Sequence, residues 1–412
     1  MVIYRTKEGD TLTSVARAHG VLPTDLLDLN RLPSDGSLPV GRALLVRSPG
    51  RIYHTEAGDT VKRIARSHRT SIPALLRLNP TLCDGDALSP GTSVTVESGD
   101  APLGAISVLG FALEGTPPEE IAPYLPYLSY LAILSCRIGG EGSLALPEDT
   151  ALVAAARQAG VVPLLTLSAA GDGGAEGERA RISSLLLSGA YERTVDALVP
   201  ALRKRGYGGV LLDFGRIPGG EEEAYTALLV RLRHRLGHTA AVMASLPPEK
   251  EEDLASLGRA AGSVLLETHA FASHLASPAP AAPYDKVERE ARRAATDIRP
   301  QKLLLGLSTR ALDFSLAGGC GRVLPFSEVE RKQEAGGRSG YDPIGHFPYL
   351  GYREGEEERI LFFEDAESLY KKLLLADALG LGGVALYPTV GTDPVLLSLI
   401  ATLFRIVKPH GE

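Results

Sequence analysis

Apolar residues are distributed differently in the first hundred positions and in the rest of the chain. Beyond residue 100, short and nearly continuous apolar runs recur at 106–113, 128–138, 161–168, 209–214, 241–246, 263–268, 303–307 and 383–387. Stretches with helical spacing lie between them, at 148–159, 179–205, 221–236, 286–296 and 364–379. Apolar runs without polar alternation are the mark of parallel strands buried on both faces. About eight strand–helix units over roughly 300 residues predict an α/β fold of the (β/α)8 TIM-barrel type. A doubly wound open sheet is the alternative, and the lack of G-x-G-x-x-G after the first run weighs against it.

The first hundred residues carry a repeat. Tyr4 to Thr11 returns as Tyr53 to Thr60, with Gly9-Asp10-Thr11 copied as Gly58-Asp59-Thr60, and Leu26-Leu27-Asp28-Leu29-Asn30 returns as Leu75-Leu76-Arg77-Leu78-Asn79, a step of 49 residues. A fixed period means one small unit built twice. Each unit reads as strand, helix, helix, strand. Gly-Asp-Thr supplies the turn and the helix cap. A break at Gly20 and Pro23 separates the helices, and Leu44-Leu45-Val46 returns as a strand. Both copies resemble LysM, the peptidoglycan- and chitin-binding module. The resemblance implies recognition of N-acetylglucosamine-containing glycans by the loops after the first strand and the second helix. Its candidate contacts are Gly9, Asp10, Thr11 and Asn30, with Gly58, Asp59, Thr60 and Asn79 in the second copy. Read alone, the same residues shape turns. The expected domains are 1–48, 51–98 and 103–412.

Composition narrows the classes. The chain has 412 residues, 44% hydrophobic and 23% charged, with a net charge of −7. No Lys/Arg block supplies a nucleic-acid footprint. No apolar run approaches the ~18 residues of a membrane span. The repeat begins almost at residue 1, so synthesis in a cytoplasm without a signal peptide is expected. Cys83, Cys136 and Cys320 lack metal-like spacing and are expected to be buried free thiols. No cofactor and no metal are expected.

In a barrel of this type, chemistry sits at the C-terminal ends of the strands. The fourth run reads Gly206-Tyr207-Gly208-Gly209-Val210-Leu211-Leu212-Asp213-Phe214-Gly215. Here the chain resembles family 18 glycoside hydrolases, whose fourth strand carries Asp-x-x-Asp-x-Asp-x-Glu. It is most similar to the LysM-plus-barrel enzymes that cut spore cortex peptidoglycan. The motif positions fall at Gly208, Leu211, Asp213 and Gly215, so one carboxylate remains and the general-acid Glu is replaced by Gly215. The resemblance implies substrate-assisted hydrolysis, an exception to the two-carboxylate scheme. The substrate's N-acetyl oxygen attacks the anomeric carbon, the Asp orients that amide, and the Glu protonates the leaving oxygen. Acid–base catalysis of this kind contributes typically about 10²–10⁴-fold.

Other family positions differ as well. The Tyr that ends the sixth strand in relatives falls at His269, the Trp of the eighth at Tyr387, and an aromatic-rich stretch after the seventh at Arg310-Ala311-Leu312-Asp313-Phe314. Asp213, Glu267 and His269 are therefore the candidate catalytic residues. Glu267 and His269, two apart on a strand, should face one way, which offers a displaced acid. Phe111, Phe314 and Tyr387 are the aromatic candidates for sugar contact. Glu114 is a weaker acid, and Glu221-Glu222-Glu223 reads as a solvated first helical turn. The segment 346–352 either stacks on sugars or packs an insertion onto the barrel, and 273–283 reads as a loop at the barrel top. The expectation is a glycan-binding, spore-associated protein of the coat and cortex region with an impaired barrel. The alternative is an active N-acetylglucosaminidase-type hydrolase using an acid such as Glu267. Spore coat proteins are the further partners considered.

Overall fold

In the computed structural model of the protein, the described residues are 1–33, 35–82, 87–138, 143–169, 174–187, 190–249, 253–272 and 275–409. Cys83 and the start of the loop at 273 lie outside them.

Eight parallel strands close on themselves: Gly104–Leu113, Tyr130–Ile138, Val162–Ser168, Gly209–Asp213, Ala241–Leu246, Ser263–Leu266, Leu303–Ser308 and Gly383–Tyr387. The last pairs with the first, Val384 opposite Val108, which completes the barrel. Side chains alternate along each strand. One set fills the interior, with Leu109, Phe111, Ala132, Val162, Leu164, Leu211, Met243, Leu265, Leu304 and Ala385 in one cluster. The other set, Val108, Leu165, Val210, Leu212 and Val384 among them, packs under the surrounding helices. This double burial is why the strands read as unbroken apolar runs.

The stretch 179–205, expected as one helix, is two: Gly174–Leu187 and Ala190–Arg205. The first begins earlier than the apolar pattern indicated, and the extra turn carries Glu176 and Glu178. After the seventh strand the chain leaves the barrel to build a five-stranded antiparallel sheet, Ala311–Ser315, Arg322–Leu324, Arg338–Asp342, Phe347–Glu354 and Glu357–Phe362. Within it, the carboxylate of Asp313 is fully buried and accepts from Arg322 Nε at 2.6 Å, Arg359 Nε at 3.0 Å and the Tyr352 hydroxyl at 2.8 Å. Phe347 packs on Phe362 with ring centres 5.6 Å apart, so this aromatic segment serves to pack the insertion.

The two N-terminal units share one plan. Each carries a two-stranded antiparallel sheet, Val2–Arg5 with Ala43–Val46 and Arg51–His54 with Ser93–Glu97. Their cores correspond, Val15, Ala16 and Leu26 in the first and Ile64, Ala65 and Leu75 in the second. The first unit is also fixed to the barrel. On its strand Ala43–Val46, Leu44 and Val46 enter the unit's own core, while Ala43 and Leu45 join the large core around the barrel. Arg5 pairs with Asp365 at 2.8 Å and Glu367 at 2.6 Å and lies over the Tyr341 ring, and Arg42 pairs with Glu330 at 2.8 Å. The second unit is tied by Arg77, which donates to the Pro126 carbonyl at 2.9 Å. No helix among the described residues is long and apolar enough to cross a membrane.

Cys136 is buried, and burial pushes its thiol pKa up to about 12. Cys320 is exposed, a correction to the expectation of a buried thiol. It follows Gly318 and Gly319 at the surface of the insertion.

Candidate active site

A cavity of about 260 Å³ opens where the barrel strands end. Asp213 closes the fourth strand two residues after the interior Leu211, so alternation turns its side chain inward. Its carboxylate accepts from Ser245 Oγ, near the end of the fifth strand, at 3.0 Å. Burial raises its pKa, and the Ser245 hydrogen bond acts in the opposite direction.

Glu267 and His269 line the same cavity, but from the turn after the sixth strand, which ends at Leu266, and not from alternating positions on it. Glu267 is engaged in an interaction of its own. The His269 ring packs on Tyr387 at 4.9 Å, and Tyr387 also meets Phe111 edge-on at 5.3 Å. The Arg310 guanidinium lies over the Tyr387 ring, 4.5 Å from its centre. An aromatic face that would carry a sugar is therefore partly occupied by a cation. Gly306 makes room for the histidine, since a Cβ there would stand 2.5 Å from His269 Nδ1. That nitrogen is buried with no hydrogen-bond partner among the described residues.

Burial, with Arg310 adding to it, pushes the His269 pKa down from 6.5 to about 3. Its folded value lies below its unfolded one. The stability it allows is therefore full above pH 6.5 and is lost as pH falls toward 3. In thermal melts across that window, the parent should lose more stability on acidification than His269→Gln. Parallel curves would remove His269 as the cause.

Phe314, expected at the sugar face, is a correction. It is fully buried in the insertion sheet against Phe362, and Gly321 sits close on its ring. Leu312, earlier on the same strand, reaches the cavity instead. Glu114 is not among the residues that line it; its carboxylate is within 3.3 Å of the Glu148 amide. Glu221 is buried and is the cap residue before the helix Glu222–Leu236, a correction to its reading as solvated.

Sequence reasoning missed Glu178. Gly215 has a φ of +57°, and a Cβ built on it would lie 3.3 Å from Glu178 Oε1. The glutamate comes from the helix that follows the third strand. Burial and the nearby charge of Asp213 raise its pKa, and Arg181 opposes them. Glu178 is not part of the cavity lining itself; its link to the site is through Asp213 and Gly215. The signal was present in the sequence as acidic residues just beyond a strand's C-terminal end, where barrel chemistry collects.

The glycan candidates of the N-terminal units are in register. Asp10 accepts from the Tyr4 hydroxyl at 2.8 Å and the Lys7 amide at 2.7 Å, and Asp59 accepts from Tyr53 and the Glu56 amide, both at 2.8 Å. Thr11 and Thr60 cap their helices by accepting from Ser14 and Arg63 amides. Buried Asn30 and Asn79 bridge the end of a helix to the last strand, each donating to two carbonyls and accepting one amide. Gly9 and Gly58 have φ of +84° and +85°. These bonds shape the loops. A larger cavity, about 490 Å³, lies between the two units, away from the barrel mouth.

The LysM domain model matches residues 4–47 and 53–97, and the model for glycosyl hydrolases family 18 matches residues 171–391. The chain belongs to glycosyl hydrolase family 18 and carries two LysM domains at its N-terminus. It is similar to the cortical fragment-lytic enzyme of Bacillus subtilis (strain 168), 28% identical over 99% of this chain and 99% of that protein. The Bacillus anthracis protein of the same name is 26% identical over 98% and 99% of the two chains. Among solved structures, the Bacillus cereus spore cortex-lytic enzyme SleL superposes with a TM-score of 0.80 at 22% identity, over 99% of both chains. A chitinase from Chromobacterium violaceum superposes at 0.66 with 20% identity, over 73% of this chain and 99% of its own. At those identities the structural likeness is one of fold.

Proposed function

We propose that this protein is a peptidoglycan-directed glycoside hydrolase of the spore cortex type. In this reading the LysM pair holds N-acetylglucosamine-containing polymer, and the barrel cleaves it with help from the substrate's own acetamido group. The observation that carries the reading is Asp213, held by Ser245 in the lining of a cavity at the strand termini. A carboxylate there can orient an acetamido N–H and stabilise the positive charge that develops as the amide oxygen attacks the anomeric carbon. The full-length similarity to cortical fragment-lytic enzymes supports both the substrate class and an association with the spore. Two modules on one chain gain avidity for a polymer through effective concentration, so each site can be weak.

A second reading is a glycan-binding protein with a silent barrel. Gly215 favours it, because glycine offers no proton donor, as does Arg310 lying over Tyr387. One experiment separates the two. The purified chain is incubated with spore cortex fragments, the soluble products are analysed by mass spectrometry, and co-sedimentation is measured in parallel. Binding accompanied by new muropeptide products supports the hydrolase. Binding with unchanged glycan supports the silent barrel.

A further inference from the structure

A side chain at position 215 would crowd the observed Glu178 carboxylate. Glu178 Oε1 is 3.3 Å from where a Cβ of residue 215 would be, a distance of the same order as a glutamate's own reach from its Cβ. The left-handed φ of +57° at 215 favours glycine and strains any L side chain there. The chain has thus given position 215 a glycine conformation and brought a carboxylate in from a neighbouring element.

We propose that Glu178, supplied by the helix after the third strand, is the general acid of this barrel in place of the missing glutamate at position 215. The inference rests on the hydrolase reading above. In the first step the acetamido oxygen forms a bond to the anomeric carbon, and the bond from that carbon to the glycosidic oxygen breaks. The electron pair goes to the departing oxygen, which takes the proton of the Glu178 carboxyl. In the second step the Glu178 carboxylate removes a proton from water as the water oxygen bonds to the anomeric carbon. The bond to the acetamido oxygen then opens, which restores the acetamide. Glu178 ends as it began, protonated.

The environment suits that duty. The charged groups acting on Glu178 are Asp213, across from it on the fourth strand, and Arg181, one turn along its own helix. Partial burial and the Asp213 charge both favour the protonated carboxyl. Burial raises the pKa of both neighbouring carboxyls, and the reaction needs Glu178 to hold the proton while Asp213 carries the charge.

The test is Glu178→Gln in the full chain, assayed on two substrates with different leaving groups. One is a chitin oligosaccharide or cortex fragment, whose leaving sugar oxygen needs a proton. The other is a 4-nitrophenyl glycoside of an N-acetylglucosamine oligomer, whose leaving group departs without one. Glu176→Gln, an exposed change on the same helix, is the control for the helix itself. The expected result is a loss of about 10²–10⁴-fold in kcat on the natural linkage. On the aryl glycoside the first step should be within about tenfold of the parent. Equal losses in the first step on both substrates would mean a structural role and overturn the proposal, as would full activity of the variant on the natural linkage. A parent inactive on both substrates would overturn the hydrolase reading and this inference together. A parent active on both with an unaffected variant would overturn the inference alone.

Discussion

Replacing Asp213 by asparagine is expected to lower kcat on an N-acetylglucosamine polymer by on the order of 10²–10³-fold, with a much smaller change in binding. The amide has the same shape and can keep the Ser245 contact, so the fold should be undisturbed. What it lacks is the negative charge that stabilises the cationic intermediate and holds the acetamido N–H. That charge matters most in the transition state, so the loss should fall on kcat. Co-sedimentation with cortex fragments, which the LysM domains provide in this account, should match the parent. Steady-state kinetics on a defined oligosaccharide measures the first effect and a binding isotherm the second. An Asp213→Asn protein as active as the parent would move the chemistry away from the barrel mouth.

The second large effect concerns stability. Lys372, on the helix Ala366–Ala378, is fully buried and pairs with Glu364, which is 5% exposed. Burial raises the Glu364 pKa, and Lys372 holds it back. The pair lies where the chain re-enters the barrel from the insertion sheet, next to Asp365, which caps that helix and meets Arg5 of the first LysM domain. Removing one charge leaves the other buried without compensation, a cost of about 3–5 kcal/mol. Lys372→Met should therefore shift the unfolding midpoint strongly. The double change Lys372→Met with Glu364→Leu should recover most of it, because two apolar groups of similar volume need no partner. Denaturant unfolding of the two single variants and the double variant closes the cycle. A double variant no better than the singles would show that the pair is not what those residues contribute.

The barrel was legible because its physics is repetitive. Gly383–Tyr387 and Ala241–Leu246 are buried on both faces, so they appear in the sequence as solid apolar runs with exact ends. The LysM pair was legible from its period. The insertion sheet was not resolved into strands, because its half-exposed strands mix charge with aromatics. Arg338–Asp342 and Phe347–Glu354 earn their places through cross-strand neighbours such as Tyr349 on Gly340, which a linear pattern does not display. Phe314 misled for the same reason, since an aromatic residue at a family's sugar-contact position can equally be the core of an insertion.

At the site, the sequence located Asp213, Glu267 and His269 at one barrel mouth, because strand ends are local properties, although Glu267 and His269 lie in the turn beyond Leu266. It did not single out Glu178 from the acidic residues beyond the third strand. The absence of a side chain at Gly215 is visible in the sequence, but what fills the space beside it is a meeting of two elements 37 positions apart. A broken motif read along one strand can thus be consistent with a carboxylate in the space that the motif describes.

The most direct measurement of the central claim is the anomeric form of the first product. Hydrolysis assisted by the substrate's acetamido group proceeds by two displacements at the anomeric carbon and retains configuration. The full chain would be mixed with a soluble β-linked N-acetylglucosamine oligomer and followed by proton NMR from the earliest turnover, before mutarotation. The account predicts that the β-anomer appears first. First appearance of the α-anomer, or no cleavage while the glycan is bound, would contradict it.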